Sequence, residues 1–104
     1  MNLYAILRRD GWANPGQLAE AAVRSRAVAD EQMPDDIRWI RSYVLDEGHG
    51  AVGTVCIYEA TSREAIRAHA ESADLPVTEI IPILDTVIVR PDPQPAEAAP
   101  SGPH

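Results

Sequence analysis

The strongest constraint on the fold is a pattern that occurs twice in the sequence. In each copy, a stretch rich in strand-forming residues is followed by residues typical of a helix N-terminus. Residues 2–8 are aliphatic and aromatic, and Asn14, followed by proline, then has the form of a helix N-cap. Residues 52–59 form a second β-type run, which Thr61 and Glu64 follow as a capping box. A chain of 104 residues holds a single core, so both units must share it.

Each helix start is followed by a helix pattern and then by a further strand pattern. The expected strands are residues 2–8, 37–45, 52–59 and 79–89, and the expected helices are residues 15–32 and 62–73. This βαββαβ order predicts an α+β, ferredoxin-like fold with a four-stranded antiparallel sheet. Right-handed crossovers place both helices on one face of that sheet.

The C-terminal residues have a different composition. Residues 90–104, RPDPQPAEAAPSGPH, contain five prolines among small and polar side chains and have too few apolar residues to join a core. The sequence therefore predicts a ferredoxin-like domain at residues 1–89 and a proline-rich tail at residues 90–104.

Charge and cysteine content narrow the classes of partner. The formal net charge is −7 and no cluster of Lys or Arg offsets it, so nucleic acid and anionic lipid are poor partners.

The sequence MNLYAILRRD lacks the basic start and long apolar run of a signal peptide, and no run is long enough to span a bilayer. Cys56 is the single cysteine and cannot form an internal disulfide. We expect a cytoplasmic protein.

Both faces of the expected sheet carry apolar side chains. Strict alternation puts Trp39 and Tyr43 on one face of the second strand, and Cys56 and Tyr58 on one face of the third, with aliphatic residues opposite. Two helices cover one face only, and the other would expose more apolar surface than a monomer usually does. We therefore expect a homodimer, a dimeric α+β barrel with a cleft between the subunits. The alternative is that the second strand curls and its tryptophan lies under a loop or the tail.

A candidate site lies in residues 54–70, which contain Cys56, Tyr58, Glu59 and His69. His69 is in phase with the helix face that looks at the sheet, so it is either a buried histidine bonded to a backbone carbonyl or carboxylate, or a ligand or general base. Glu59 ends a strand just before the helix, where it either stabilises the helix N-terminus or assists His69. Cys56 and Tyr58 either pack in the core or line the cleft between subunits.

These residues give three overlapping sets of candidates. The catalytic candidates are His69, Glu59 and Tyr58, the ligand-binding candidates are His69, Tyr58 and Cys56, and the metal candidates are His69 and Glu59. No CxxC, HxxxH or HExxH spacing strengthens the metal hypothesis.

Four arginines on the expected strands, Arg8, Arg9, Arg38 and Arg41, are a further candidate set. Such side chains can hold a carboxylate or phosphate through two parallel hydrogen bonds. Acidic residues are abundant in this chain, so we expect surface ion pairs instead.

Several stretches together resemble one family. They are LYAILRR, LAEAAVRSRA, IRWIRSYVLDEG, VCIYEATSREAIRAHA and LPVTEII. Over about residues 3–89 the chain resembles the DUF4242 family of small bacterial proteins, the nickel-responsive-protein-like group. The resemblance implies a ferredoxin-like dimer with at least one relative that binds nickel, and by position it points to His69 as a recurring histidine. The first strand, in which metal-binding members carry histidines, reads AILRRD here.

The sequence thus predicts a small-ligand-binding, ferredoxin-like homodimer that holds a small molecule or a divalent metal, with Ni(II) as the one cofactor that the resemblance suggests. The alternative is a cofactor-independent enzyme of the isomerase, cyclase or monooxygenase type. It would act on a small organic substrate in the dimer cleft, with His69 as base and Tyr58 or Glu59 assisting. A third reading is a structural or regulatory interaction module with a dry, filled interface.

Overall fold

In the computed structural model, which describes residues 1–93, four strands and two α-helices follow one another in the expected βαββαβ order. The strands are β1 (Asn2–Trp12), β2 (Ile37–Gly48), β3 (Ala51–Ala60) and β4 (Glu79–Pro82), and the helices are α1 (Pro15–Ala27) and α2 (Arg63–Ala73). A π-helical stretch, Val28–Gln32, continues α1. None of the helices in this part of the chain has the length and apolar character needed to cross a bilayer.

The sheet is antiparallel and its strand order is β2-β3-β1-β4. In the centre, Ile6 of β1 pairs with Cys56 of β3 on one side and with Ile80 of β4 on the other. All three are buried on the face that the helices cover, where Ile66 of α2 joins them in the core. The ferredoxin-like α+β fold expected from the sequence is confirmed.

Both helices begin with the type of cap that the sequence indicates. Asn14 accepts a hydrogen bond from the backbone N–H of Gln17 at 2.9 Å and so caps α1. Ser62 caps α2 by accepting from the N–H of Ala65 at 3.0 Å. The cap is one residue later than expected, because the hydroxyl of Thr61 donates to a carboxylate oxygen of Asp36 instead.

A bulge in β2 changes which side chains face the helices. Trp39 pairs with Tyr58, but the next pair is Arg41 with Ile57, so Ile40 is an extra residue in the ladder. Trp39 therefore lies on the helix side of the sheet, whereas Tyr43 lies on the opposite side. Strict alternation had placed the two aromatic residues on one face.

The last strand is shorter than its β-forming sequence. β4 ends at Pro82, which has no N–H to donate, and the backbone bond from Ile83 to Leu3 is followed by a segment without strand pairing. This segment, residues 84–89, exposes 78–101% of the surface of its apolar side chains, which are Leu84, Val87, Ile88 and Val89. Of the expected tail, residues 90–104, only residues 90–93 are described, and Asp92 there accepts hydrogen bonds from Arg41 and Tyr43 of β2. Residues 94–104 lie outside the described part.

A candidate ligand cavity between α1 and the sheet

A cavity of about 250 Å³ lies between α1 and the inner faces of β1, β2 and β3. Its walls are mainly apolar, and Trp12, Trp39 and Tyr58 supply three aromatic rings. The polar lining includes Arg8 and Ser25. Small residues of α1 leave the space open, because alanines stand where larger side chains would fill it.

A chain of hydrogen bonds forms the polar side of this cavity. The Arg8 guanidinium donates from Nη1 to the carbonyl oxygen of Pro76 at 2.7 Å, and its Nη2 lies 3.5 Å from the phenol oxygen of Tyr58. The Tyr58 hydroxyl is in turn 3.1 Å from Oγ of Ser25. Three polar side chains from three different elements therefore converge at one place.

Tyr58 keeps its proton at neutral pH. Burial raises the pKa of its phenol, and the nearby positive charge of Arg8 lowers it less strongly. The hydroxyl therefore acts as a hydrogen-bond donor and acceptor in the cavity and is not a general base.

His69 lies behind Tyr58, with the two rings edge to face and their centroids 5.3 Å apart. Its side chain is 0% exposed, and its Nε2 lies 2.9 Å from the carbonyl oxygen of Ser25, to which Nε2–H donates. Nδ1 has no hydrogen-bond partner among the residues that the structure describes. Burial lowers the pKa of the imidazole, while the bond to the Ser25 carbonyl opposes that shift. His69 is thus a neutral histidine in the core, outside the lining of the cavity.

The burial of His69 has an expected consequence for stability against pH. Because its pKa is lowered on folding, the unfolded chain binds more protons just below the ordinary pKa of 6.5. The stability due to neutral His69 is complete above about pH 6.5 and is lost as the pH falls toward the lowered pKa. Between pH 7.5 and pH 5.5, values on either side of about 6.5, we expect the wild type to lose more stability than the His69→Gln variant. Glutamine keeps an N–H that can donate to the Ser25 carbonyl. Urea unfolding measures this, and parallel pH profiles of the two proteins would contradict it.

The other two candidates from residues 54–70 lie on opposite faces of β3. Cys56 lines the cavity beside Tyr58, and its thiol donates to Oγ1 of Thr54 at 3.3 Å. Glu59 points to the other side of the sheet, where it forms an ion pair with Arg38 at 3.0 Å. The structure thus brings His69, Tyr58 and Cys56 to one side of the sheet and keeps Glu59 apart from them.

The donors on the cavity side do not fit a metal ion. Nickel requires several nitrogen, oxygen or sulfur ligands around one point. Within residues 1–93 no three side chains of His, Cys, Asp or Glu are grouped closely enough to hold a metal. The free Nδ1 of His69 is a single donor that the described residues do not complement.

Three of the four arginines form the expected ion pairs. They are Arg9 with Glu47, Arg38 with Glu59, and Arg41 with Asp92. Arg8 is different, because it is buried and lines the cavity.

Sequence reasoning missed Trp12, Ser25 and Trp39 as cavity residues, and it wrongly expected Arg8, a candidate anion ligand, to form a surface ion pair. For Arg8 a signal existed, since it is in phase with Tyr4 and Ile6 on the buried face of β1. For Trp39 the alternation of residues along β2 gave the wrong face, because the bulge at Ile40 interrupts that alternation.

The fold is similar to that of a known protein. The chain is similar to SCO4226 from Streptomyces coelicolor A3(2), whose crystal structure aligns with a TM-score of 0.65 and 20% sequence identity over 82% of this chain and 99% of that chain. At this identity the likeness concerns the fold alone. No curated protein sequence matches the chain significantly. The model of a family described as nickel responsive protein SCO4226-like matches residues 4–83. Because this match covers well over half of the sequence, the chain belongs to this SCO4226-like family.

Proposed function

We propose that this protein is a cytoplasmic, homodimeric binding protein whose ligand is a small organic molecule held in the cavity between α1 and the sheet. The observation that carries the proposal is the cavity itself, with aromatic walls and converging polar groups. Protein cores are normally filled to high density. This cavity is partly open to solvent, so water contacts its apolar walls. A small organic molecule that covers these walls gains about 25 cal/mol for each Å² of apolar surface removed from water.

A cavity-filling substitution tests the proposal. Ala22 of α1 lines the cavity, and Ala22→Leu places three further carbon atoms into it. In a thermal-shift screen of small organic acids, amides and alcohols, we expect wild-type hits that raise the Tm by several degrees, since a ligand at 100 times its Kd adds about 2.7 kcal/mol. Ala22→Leu should keep its fold and lose these shifts.

The matched control is Val23→Leu, which changes an exposed neighbour on the same helix. It should respond to the same compounds as the wild type. Shifts that survive in Ala22→Leu, or a screen without any hit, would contradict binding in this cavity.

The proposed dimer is supported by apolar surface that the helices do not cover. Tyr43 and Ile81 are exposed on the outer face of the sheet, and the apolar residues of the segment 84–89 are more exposed still. A twofold dimer that pairs this segment with the sheet of a second copy would remove both from water.

A divalent metal, with nickel first, is the second candidate ligand. The family's description favours it, and so does the unpartnered Nδ1 of His69. Because His69 is fully buried, the core around it would have to open before donors from a second chain or from outside residues 1–93 could complete the site. Native mass spectrometry of untagged protein with stoichiometric nickel separates the candidates: discrete nickel adducts that disappear in His69→Ala would favour the metal, and their absence would favour the organic ligand.

Catalysis by a cofactor-independent mechanism has less support. A general base must reach its substrate, but His69 is fully buried and is not among the residues lining the cavity. The raised pKa of Tyr58 keeps the other candidate protonated. Both observations favour binding over proton transfer.

A further inference from the structure

Arg8 is a buried cation that has no acidic partner within residues 1–93. Its side chain is 1% exposed, and its two hydrogen bonds go to the neutral groups Pro76 carbonyl and Tyr58 hydroxyl. Among the described residues it belongs to none of the ion pairs. A guanidinium has five N–H donors, so these two bonds leave most of its capacity unused.

This arrangement is unfavourable unless something supplies a negative charge. Moving a cation out of water is strongly opposed, and buried charges in proteins are therefore paired. The other three arginines of the sheet have side chains that are at least half exposed, and they still pair with carboxylates of their own chain. Arg8 is buried and lines the cavity, where a bound anion would complete its pairing.

The rest of the lining selects an anion over a cation. The chain has 16 acidic residues, yet within residues 1–93 no Asp or Glu lines the cavity, and Arg8 is the only charged residue of this part that does. The planar guanidinium fork matches a carboxylate, which it can hold through two parallel hydrogen bonds. The hydroxyls of Tyr58 and Ser25 lie beside it as further partners.

We infer that the cavity binds a small organic monocarboxylate, with the carboxylate on Arg8 and the apolar body between Trp12 and Trp39. This inference rests on the proposed function and names the chemical class of its ligand. A volume of about 250 Å³ is below the roughly 300 Å³ of the smallest drug-sized pockets, so the acid is about as large as phenylacetate. The aromatic walls favour a hydrocarbon body over inorganic phosphate.

The test compares each acid with its neutral amide, which has nearly the same shape. Phenylacetate and phenylacetamide, and hexanoate and hexanamide, are titrated into dialysed wild-type protein at constant ionic strength. The two tryptophans of the sequence both line the cavity, so intrinsic fluorescence reports occupancy directly, and calorimetry supplies an independent Kd. We expect at least one acid to bind about tenfold or more tightly than its amide, as for a hydrogen bond to a charged group.

Variants then assign the effect to Arg8. Arg8→Gln should lower the affinity for the acid to that for its amide and leave the affinity for the amide nearly unchanged. Arg8→Lys should restore part of the difference in affinity, because lysine keeps the charge without the planar guanidinium. Arg26→Gln removes an equal charge from an exposed position on α1 and should change neither affinity.

The outcomes separate this inference from the proposed function. If neither acid binds more tightly than its amide, the inference that the ligand is a carboxylate is wrong, but the proposal of ligand binding in the cavity stands. Failure of both acids to bind also overturns the carboxylate, whereas the wider screen with Ala22→Leu decides the proposed function. If an Arg8 variant fails to fold, the comparison of acid and amide in the wild type still decides the inference.

Discussion

Gly53→Ala should destabilise the protein by about 3 kcal/mol and lower its Tm by roughly 10–20 °C. A Cβ atom at Gly53 would lie 2.5 Å from the carbonyl oxygen of Arg8 and 2.6 Å from a carboxylate oxygen of Glu47. The carbonyl belongs to the backbone of the neighbouring strand and cannot move without distorting the sheet. The glycine also leaves room for Glu47, which accepts hydrogen bonds from Arg9 and from the N–H of Asp10.

These bonds show what the missing side chain allows. The hydrogen bond from Arg9, with that from the Asp10 backbone, lowers the pKa of Glu47 to about 2, so the carboxylate stays charged throughout the neutral range. The contact lies where the β1 and β3 register shifts, just after Arg8. A side chain at Gly53 would therefore disturb the strand that positions the buried guanidinium.

Gly16→Ala is the matched control for this substitution. Gly16 lies in the first turn of α1, and its nearest neighbour would be the side-chain oxygen of Asn14 at 3.2 Å. Alanine favours a helix by up to about 1 kcal/mol over glycine, so this change should be neutral or mildly stabilising. Urea unfolding of both variants gives the free energies. A Gly53→Ala protein as stable as Gly16→Ala would contradict the close contact with Arg8.

The double substitution Val87→Asp with Ile88→Asp should convert the proposed dimer to a monomer. In one chain both side chains are almost fully in solvent, so charges there should leave the fold of the subunit unchanged. In a twofold dimer each substitution occurs twice and places a charge in an apolar interface. We expect the dissociation constant of the dimer to rise by at least about a thousandfold.

Light scattering after size exclusion measures this change, with Val23→Asp as the control. Val23 is also 72% exposed and apolar, but it lies on α1, away from the proposed interface. The control should remain dimeric. A monomeric wild type, or a double variant that stays dimeric, would contradict the pairing of the segment 84–89 with a second copy.

The fold could be predicted because its signals are local. Helix caps, the two periodicities and the turns each depend on a few neighbouring residues, and they agree on one order of elements. The burial of His69 also followed from its phase in α2, since it lies three residues after the buried Ile66.

The cavity could not be predicted, because it depends on contacts between distant parts of the chain. An extra residue at Ile40 turns Trp39 toward the helices, and nothing in the sequence of β2 marks a bulge at that position. Arg8 alternates in step with the buried residues of β1. Arginine side chains are usually exposed, however, so the sequence alone predicts an exposed Arg8. The position of Pro76, whose carbonyl accepts the shorter of the two Arg8 hydrogen bonds, is also known only from the fold.

The most direct measurement is a crystal structure of the full chain soaked with 4-bromophenylacetate, with data collected at the bromine absorption edge. The account requires one anomalous peak per chain in the cavity between Trp12 and Trp39, with the carboxylate density on the Arg8 guanidinium. A cavity that holds only ordered water while bromine lies elsewhere would contradict ligand binding at this site.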